Sequence, residues 1–123
     1  MKALLVALLL AAPTAPAVRA EIDQLLARLE SSGCQFNRNG SWYPAAEAKS
    51  HLLRKLEYFD DRSGVASTEQ FIALVASRSS VSGKPYLVQC ASAAAVESET
   101  WLTARLREIR GGRQARGSRA APD

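Results

Sequence analysis

The sequence is poor in residues that carry chemistry. It holds one histidine, His51, and two cysteines, Cys34 and Cys90. A zinc site takes roughly three or four His, Cys or carboxylate ligands at suitable spacing, and no such grouping occurs. Beyond residue 12 no apolar run approaches the roughly 20 residues a helix needs to span a bilayer. A basic face is missing as well. The formal net charge is +4, but Arg110, Arg113, Arg116 and Arg119 supply it near the end, and the stretch 21–109 is nearly neutral. Nucleic-acid binders show a basic patch interleaved with aromatics; none is present, so nucleic acid is not an expected partner. A phosphate loop fails at Ser82-Gly83-Lys84. Arg78 stands where the first glycine belongs, and Pro85 replaces the Ser or Thr that would hold magnesium. Val81 occupies the serine position of a Ser-x-x-Lys pair. No cofactor is expected.

What is present begins with a leader. Met1 and Lys2 form a short positive start, Ala3 to Ala12 is apolar, and Pro13 and Pro16 break the run. Val18 and Ala20 sit at the small-residue positions of an A-x-A-like cleavage site, with Glu21 first in the mature chain. The expected organisation is a signal peptide over 1–20, one α+β domain over 21–110, and a disordered Arg/Gly-rich tail over 111–123. Stable membrane insertion after cleavage is not expected. In an oxidising compartment an even cysteine count favours a disulfide. Closing the loop between Cys34 and Cys90 would add about 4 kcal/mol in the chain-entropy picture.

Residue spacing predicts the elements. Ile22, Leu25, Leu26 and Leu29 mark one apolar face of a helix over 21–32, stopped near Gly33. Two short strands flank Asn39-Gly40, the strongest short hairpin signal, because a type I′ turn needs positive φ at both central residues. Pro44 opens a second helix running to about Phe59, with Ala45, Ala48, Leu52, Leu56 and Phe59 inward. Glu47, His51 and Lys55 form a polar stripe beside them. Ser67 to Gln70 is a capping box for a third helix reaching about Arg78. Tyr86 to Cys90 is a strand, Ala91 to Ala95 has no decisive pattern, and a last helix from Glu97–Glu99 ends before Gly111. Three strands make a marginal hairpin stable when helices cover one face. The fold class is therefore α+β, a small three-stranded, mainly antiparallel sheet packed by about four helices. Pairing 86–90 with 34–38 also brings Cys90 to Cys34.

His51 could act as a general base oriented by Glu47 one turn earlier, with a serine of the 79–82 loop as nucleophile. The plainer reading is a helix histidine beside an ordinary carboxylate. Trp42, Tyr43, Tyr58 and Tyr86 could line a cleft, or simply face the core and sheet.

The run Arg38-Asn39-Gly40, Tyr43, Glu47-Ala48, His51-Leu52 and Lys55, followed by Thr68 to Ile72, Val75 to Ser77, Ser79-Ser80 and Ser82 to Tyr86 with Val88, resembles the YfeK-like family of small exported bacterial proteins with a domain of unknown function. The resemblance covers about 22–107. It implies a periplasmic protein without an assigned activity, and it directs attention to Arg38–His51 and Ser77–Tyr86, which the expected topology brings side by side. A binding face there would use Arg38, Asn39, Glu47, His51, Ser80, Ser82 and Lys84. The first functional expectation is a non-enzymatic envelope module binding a protein, peptide or envelope component. A small hydrolase or transferase built on His51, Glu47 and a loop serine is the alternative, and a structural exported protein without a specific ligand is the third.

Overall fold

Positive φ at Asn39 (53°) and Gly40 (85°) closes the hairpin with a two-residue turn. It joins β1 (Gln35–Arg38) to β2 (Ser41–Pro44) in the register Phe36 opposite Tyr43 and Arg38 opposite Ser41. In this computed structural model residues 13–120 are described. The leader's apolar run, 3–12, and the last three positions lie outside them. On its other edge β1 pairs antiparallel with β3 (Leu87–Gln89), Phe36 opposite Val88 and Gln35 opposite Gln89. One step beyond that register Cys34 meets Cys90, and the two are joined as a disulfide with Cα atoms 4.2 Å apart.

The sheet has four strands rather than the three expected. After β3 the chain turns at Ala91 (φ 51°) and returns as β4 (Val96–Glu97), giving the order β2-β1-β3-β4. The fourth strand has two residues and follows a run of Ala and Ser, so no alternation betrays it. Backbone bonding to β3 alone defines it.

Helices form the second layer. α1 (Pro16–Ser31) packs against α2 (Ala45–Asp60), α3 (Thr68–Leu74) and α4 (Ser98–Ala120). The core joins Ile22, Leu25, Leu26 and Leu29 of α1 to Leu52 and Leu56 of α2, Phe71 and Ile72 of α3, Leu102 and Leu106 of α4, and the cross-strand pair Phe36 and Val88.

Three helix ends depart from the sequence reading. α1 starts at Pro16, whose missing N–H costs nothing at a first helical turn. The expected cut after Ala20 therefore falls inside the helix. Upstream of it, Thr14 bonds the Asp60 carboxylate through both N (3.0 Å) and Oγ1 (2.5 Å), and Val18 packs on the core. α3 ends at Leu74, not near Arg78. Val75 and Ala76 stay buried, but the chain turns out so that Ser77 O accepts from Tyr86 N (2.9 Å) and Ser79 N donates to Lys84 O (3.0 Å). α4 runs through Gly111 and Gly112 to Ala120 rather than ending before Gly111. Arg110 and Arg113, on either side of that pair, both bond Glu21 of α1, and Arg110 also bonds Glu69 of α3. These contacts hold the helical turn that two glycines would otherwise weaken.

Candidate functional site

Four side chains meet where the hairpin, α2 and the start of β3 converge. Arg38 ends β1 and lies over the Tyr43 ring of the neighbouring strand, 5.1 Å from its centroid. His51 and Lys55 stand one turn apart on the polar stripe of α2. Tyr86 precedes β3 and is only 2 % exposed. An arginine can only donate, and Arg38 Nη1 lies 2.6 Å from His51 Nδ1. Nδ1 is therefore the unprotonated nitrogen. The ring proton sits on Nε2 and is donated to Tyr86 Oη at 3.3 Å. Lys55 Nζ donates to the same oxygen (3.3 Å) and to the carbonyl of Arg78 (2.8 Å).

The cluster's electrostatics follow from burial and like charge. Burial, then the charges of Arg38, Lys55 and Arg54, pull the His51 pKa from 6.5 down to about 4, so the ring is neutral at physiological pH. Burial also lowers the pKa of Lys55 and raises that of Tyr86, with Arg38 opposing the rise at Tyr86. Neither Arg38 nor Lys55 has a carboxylate partner within salt-bridge distance among the described residues.

Two cavities flank this cluster. One, of about 380 Å³, is bounded by Arg38, Tyr43, Glu47, His51 and Arg54. The other, of about 370 Å³, is bounded by Arg38, His51, Lys55 and Tyr86 with Tyr58, Phe59, Val81 and the polar group Asn39, Ser79 and Ser80. Arg38, Asn39, His51 and Ser80 of the sequence-derived set thus share one cavity, and Glu47 faces the next. Ser82 borders neither cavity; it is exposed, and its Oγ donates to Asn39 Oδ1 at 2.5 Å. Lys84 borders neither cavity. Its backbone bonds Ser79 and Ser82, which makes it a loop residue.

Sequence reasoning had Lys55 on the polar stripe and Tyr86 among the aromatics without joining them to the site. The signal for Lys55 was its position one turn beyond His51. Tyr86 stands among the aromatics that could line a cleft and ends the Ser77–Tyr86 segment, but only the sheet register carries it to His51 and Lys55 of α2. Ser79 was also overlooked as a scaffold. Its Oγ accepts from Asn39 Nδ2 (3.3 Å) and from the amides of Val81 and Ser82, each at 3.2 Å, fixing the hairpin turn to the 78–85 loop. The bonds a hydrolase would use are not formed among the described residues. His51 is paired with Arg38 and Tyr86, not with Glu47 or a loop serine.

Residues 16–110 match the family of unknown function DUF5329. A curated relative, the uncharacterized protein YfeK of Salmonella typhimurium, is 41 % identical over 86 residues, covering 66 % of this chain and 70 % of that protein. No solved structure matches. The chain belongs to the DUF5329 family and is YfeK-like.

Proposed function

We propose that this protein is an exported, non-enzymatic accessory module of the cell envelope. It binds a protein or peptide in the cleft between α2, the Asn39-Gly40 turn and the 77–86 segment. The observation that carries the reading is the cationic pair Arg38 and Lys55, without acidic partners among the described residues, facing a cavity of about 370 Å³. Binding sites combine an apolar concavity with a few convergent polar groups, and this cleft has both. Export is supported by the Met1-Lys2 leader pattern and by the Cys34–Cys90 disulfide, a bond that persists in oxidising compartments. No helix among the described residues is long and apolar enough to cross a membrane.

A photocrosslinking side chain at Val81, on the cleft wall, tests the reading in cells that make the protein. It should give a discrete adduct that disappears when Arg38→Gln and Lys55→Gln are combined. The same side chain at Leu74, exposed but outside the cleft, should give none. Equal adducts at both positions, or none at Val81, would count against the cleft. Export is tested separately by fractionation and by the N-terminal mass of the recovered protein. A cytoplasmic product carrying its leader would remove that part of the reading.

A further inference from the structure

We infer that the Lys55 side of the cleft is a carboxylate site for the free C-terminus of a peptide ending in an apolar residue. This inference rests on the binding reading above and names what occupies it.

The donors there exceed the acceptors. Arg38 uses Nη1 on His51, while its Nε and Nη2 make no hydrogen bond among the described residues. Lys55 Nζ has three protons and two acceptors, the Arg78 carbonyl and Tyr86 Oη. Tyr86 Oη accepts from both His51 and Lys55, which leaves its own proton without an acceptor among those residues. A guanidinium, an ammonium and a phenol thus converge on one cavity that no acidic side chain borders. On the other side of Arg38 and His51 the wall carries Glu47 along with Arg54, so that cavity holds an acid and a lower net positive charge than this one. Charge complementarity therefore selects an anion and also selects which of the two cavities takes it.

The remaining wall sets the rest of the ligand. Tyr58, Phe59, Val81 and the Tyr86 ring bound the same cavity, with Val81 96 % and Tyr58 54 % exposed. A bare inorganic anion would satisfy the donors and leave this apolar surface in water. An apolar side chain next to the carboxylate covers it. His51 is held neutral, so two formal positive charges face the ligand; they select for an anion, and the apolar wall beside them selects a peptide carboxylate over phosphate. The Ser80 hydroxyl, on the same wall and exposed, makes no hydrogen bond among the described residues. A peptide amide can use it, whereas an acyl chain would bury it unpaired.

The test uses the full isotope-labelled chain and four probes: N-acetyl-Ala-Ala-Leu as free acid, the same peptide as C-terminal amide, octanoate, and inorganic phosphate. The free acid should shift the amide resonances of Asn39, Ser80 and Val81 saturably. The amide should bind at least about tenfold more weakly, since it loses a charge-assisted pair. Lys55→Gln and, separately, Arg38→Gln should weaken the acid by a similar factor, provided each unfolds near the parent temperature. Arg107→Gln on exposed α4 should change nothing. Equal binding of acid and amide would overturn the inference. Tighter binding of phosphate or octanoate would overturn it in favour of a free oxyanion or a fatty acid. If no probe binds while Val81 still crosslinks, the carboxylate assignment fails and the cleft reading stands. If both fail, so does the cleft.

Discussion

His51 shows how much one side chain's surroundings decide. Its helix position makes it an ordinary imidazole. Arg38 takes its lone pair, and Tyr86 takes its proton. Its folded pKa of about 4 lies below the ordinary 6.5. Between those values the unfolded chain binds more protons than the folded one, so stability rises with pH there. The contribution of neutral His51 is complete above about 6.5 and is lost as pH falls through about 4. An NMR titration of the imidazole should therefore find a midpoint near 4, and Arg38→Gln should move it upward by removing a nearby positive charge. A midpoint at the free-imidazole value in the parent protein would contradict the burial and the Arg38 contact together.

Among the elements, α3 is short and depends on its first turn. Ser67 Oγ accepts from Gln70 N (3.1 Å), and Gln70 Oε1 accepts in return from Ala66 N (2.6 Å). Ser67→Ala leaves that amide without its cap and should cost about 1 kcal/mol in a denaturant titration. A change near zero would mean water replaces the cap fully. The same helix shows where a local pattern stops being informative. Phe71, Ile72, Val75 and Ala76 keep helical spacing and are all buried, yet Val75 and Ala76 lie past the helix end. Their burial comes from the turn that sends Ser77 to Tyr86. The hairpin is the opposite case, since Asn39-Gly40 dictates its own backbone and needs no partner to be read.

At the scale of the molecule, two cross-links hold distant segments. Glu21 of α1, buried, accepts from Arg110 Nη2 at 2.8 Å and from Arg113, while Arg110 also reaches Glu69 of α3 at 2.7 Å. The hydrogen bond from Arg110 is the main cause that lowers the Glu21 pKa from 4.5 to about 2, against the opposing effect of burial. That contribution is complete above about 4.5 and is lost as pH falls through about 2. Glu21→Gln should lower stability by about 2 kcal/mol at neutral pH and flatten the acid limb below pH 4.5. An unchanged acid limb would show the pairs to be solvent-screened. The Cys34–Cys90 disulfide spans 56 positions. Replacing both by Ala should cost about 4 kcal/mol if its effect is on the unfolded chain, measured by urea unfolding. A loss below about 1 kcal/mol would place its value elsewhere.

The α+β class, the Asn39-Gly40 turn, the inward faces of α1 and α2, the capping box and the partnership of the two cysteines follow from the sequence alone. Each rests on a local rule: a period, a positive φ, a cap, or an even count of thiols. The fourth strand, the early end of α3, the passage of α4 through Gly111-Gly112 and the meeting of Tyr86 with His51 and Lys55 needed the tertiary structure. Pairing, burial and charge between segments far apart in the chain decide these, and no local period records them. The cleft is of both kinds. Arg38, Asn39 and His51 were legible as a polar group near a turn, but only packing of the hairpin against α2 and the 78–85 loop half-buries Arg38 and His51 and sets the geometry of all three.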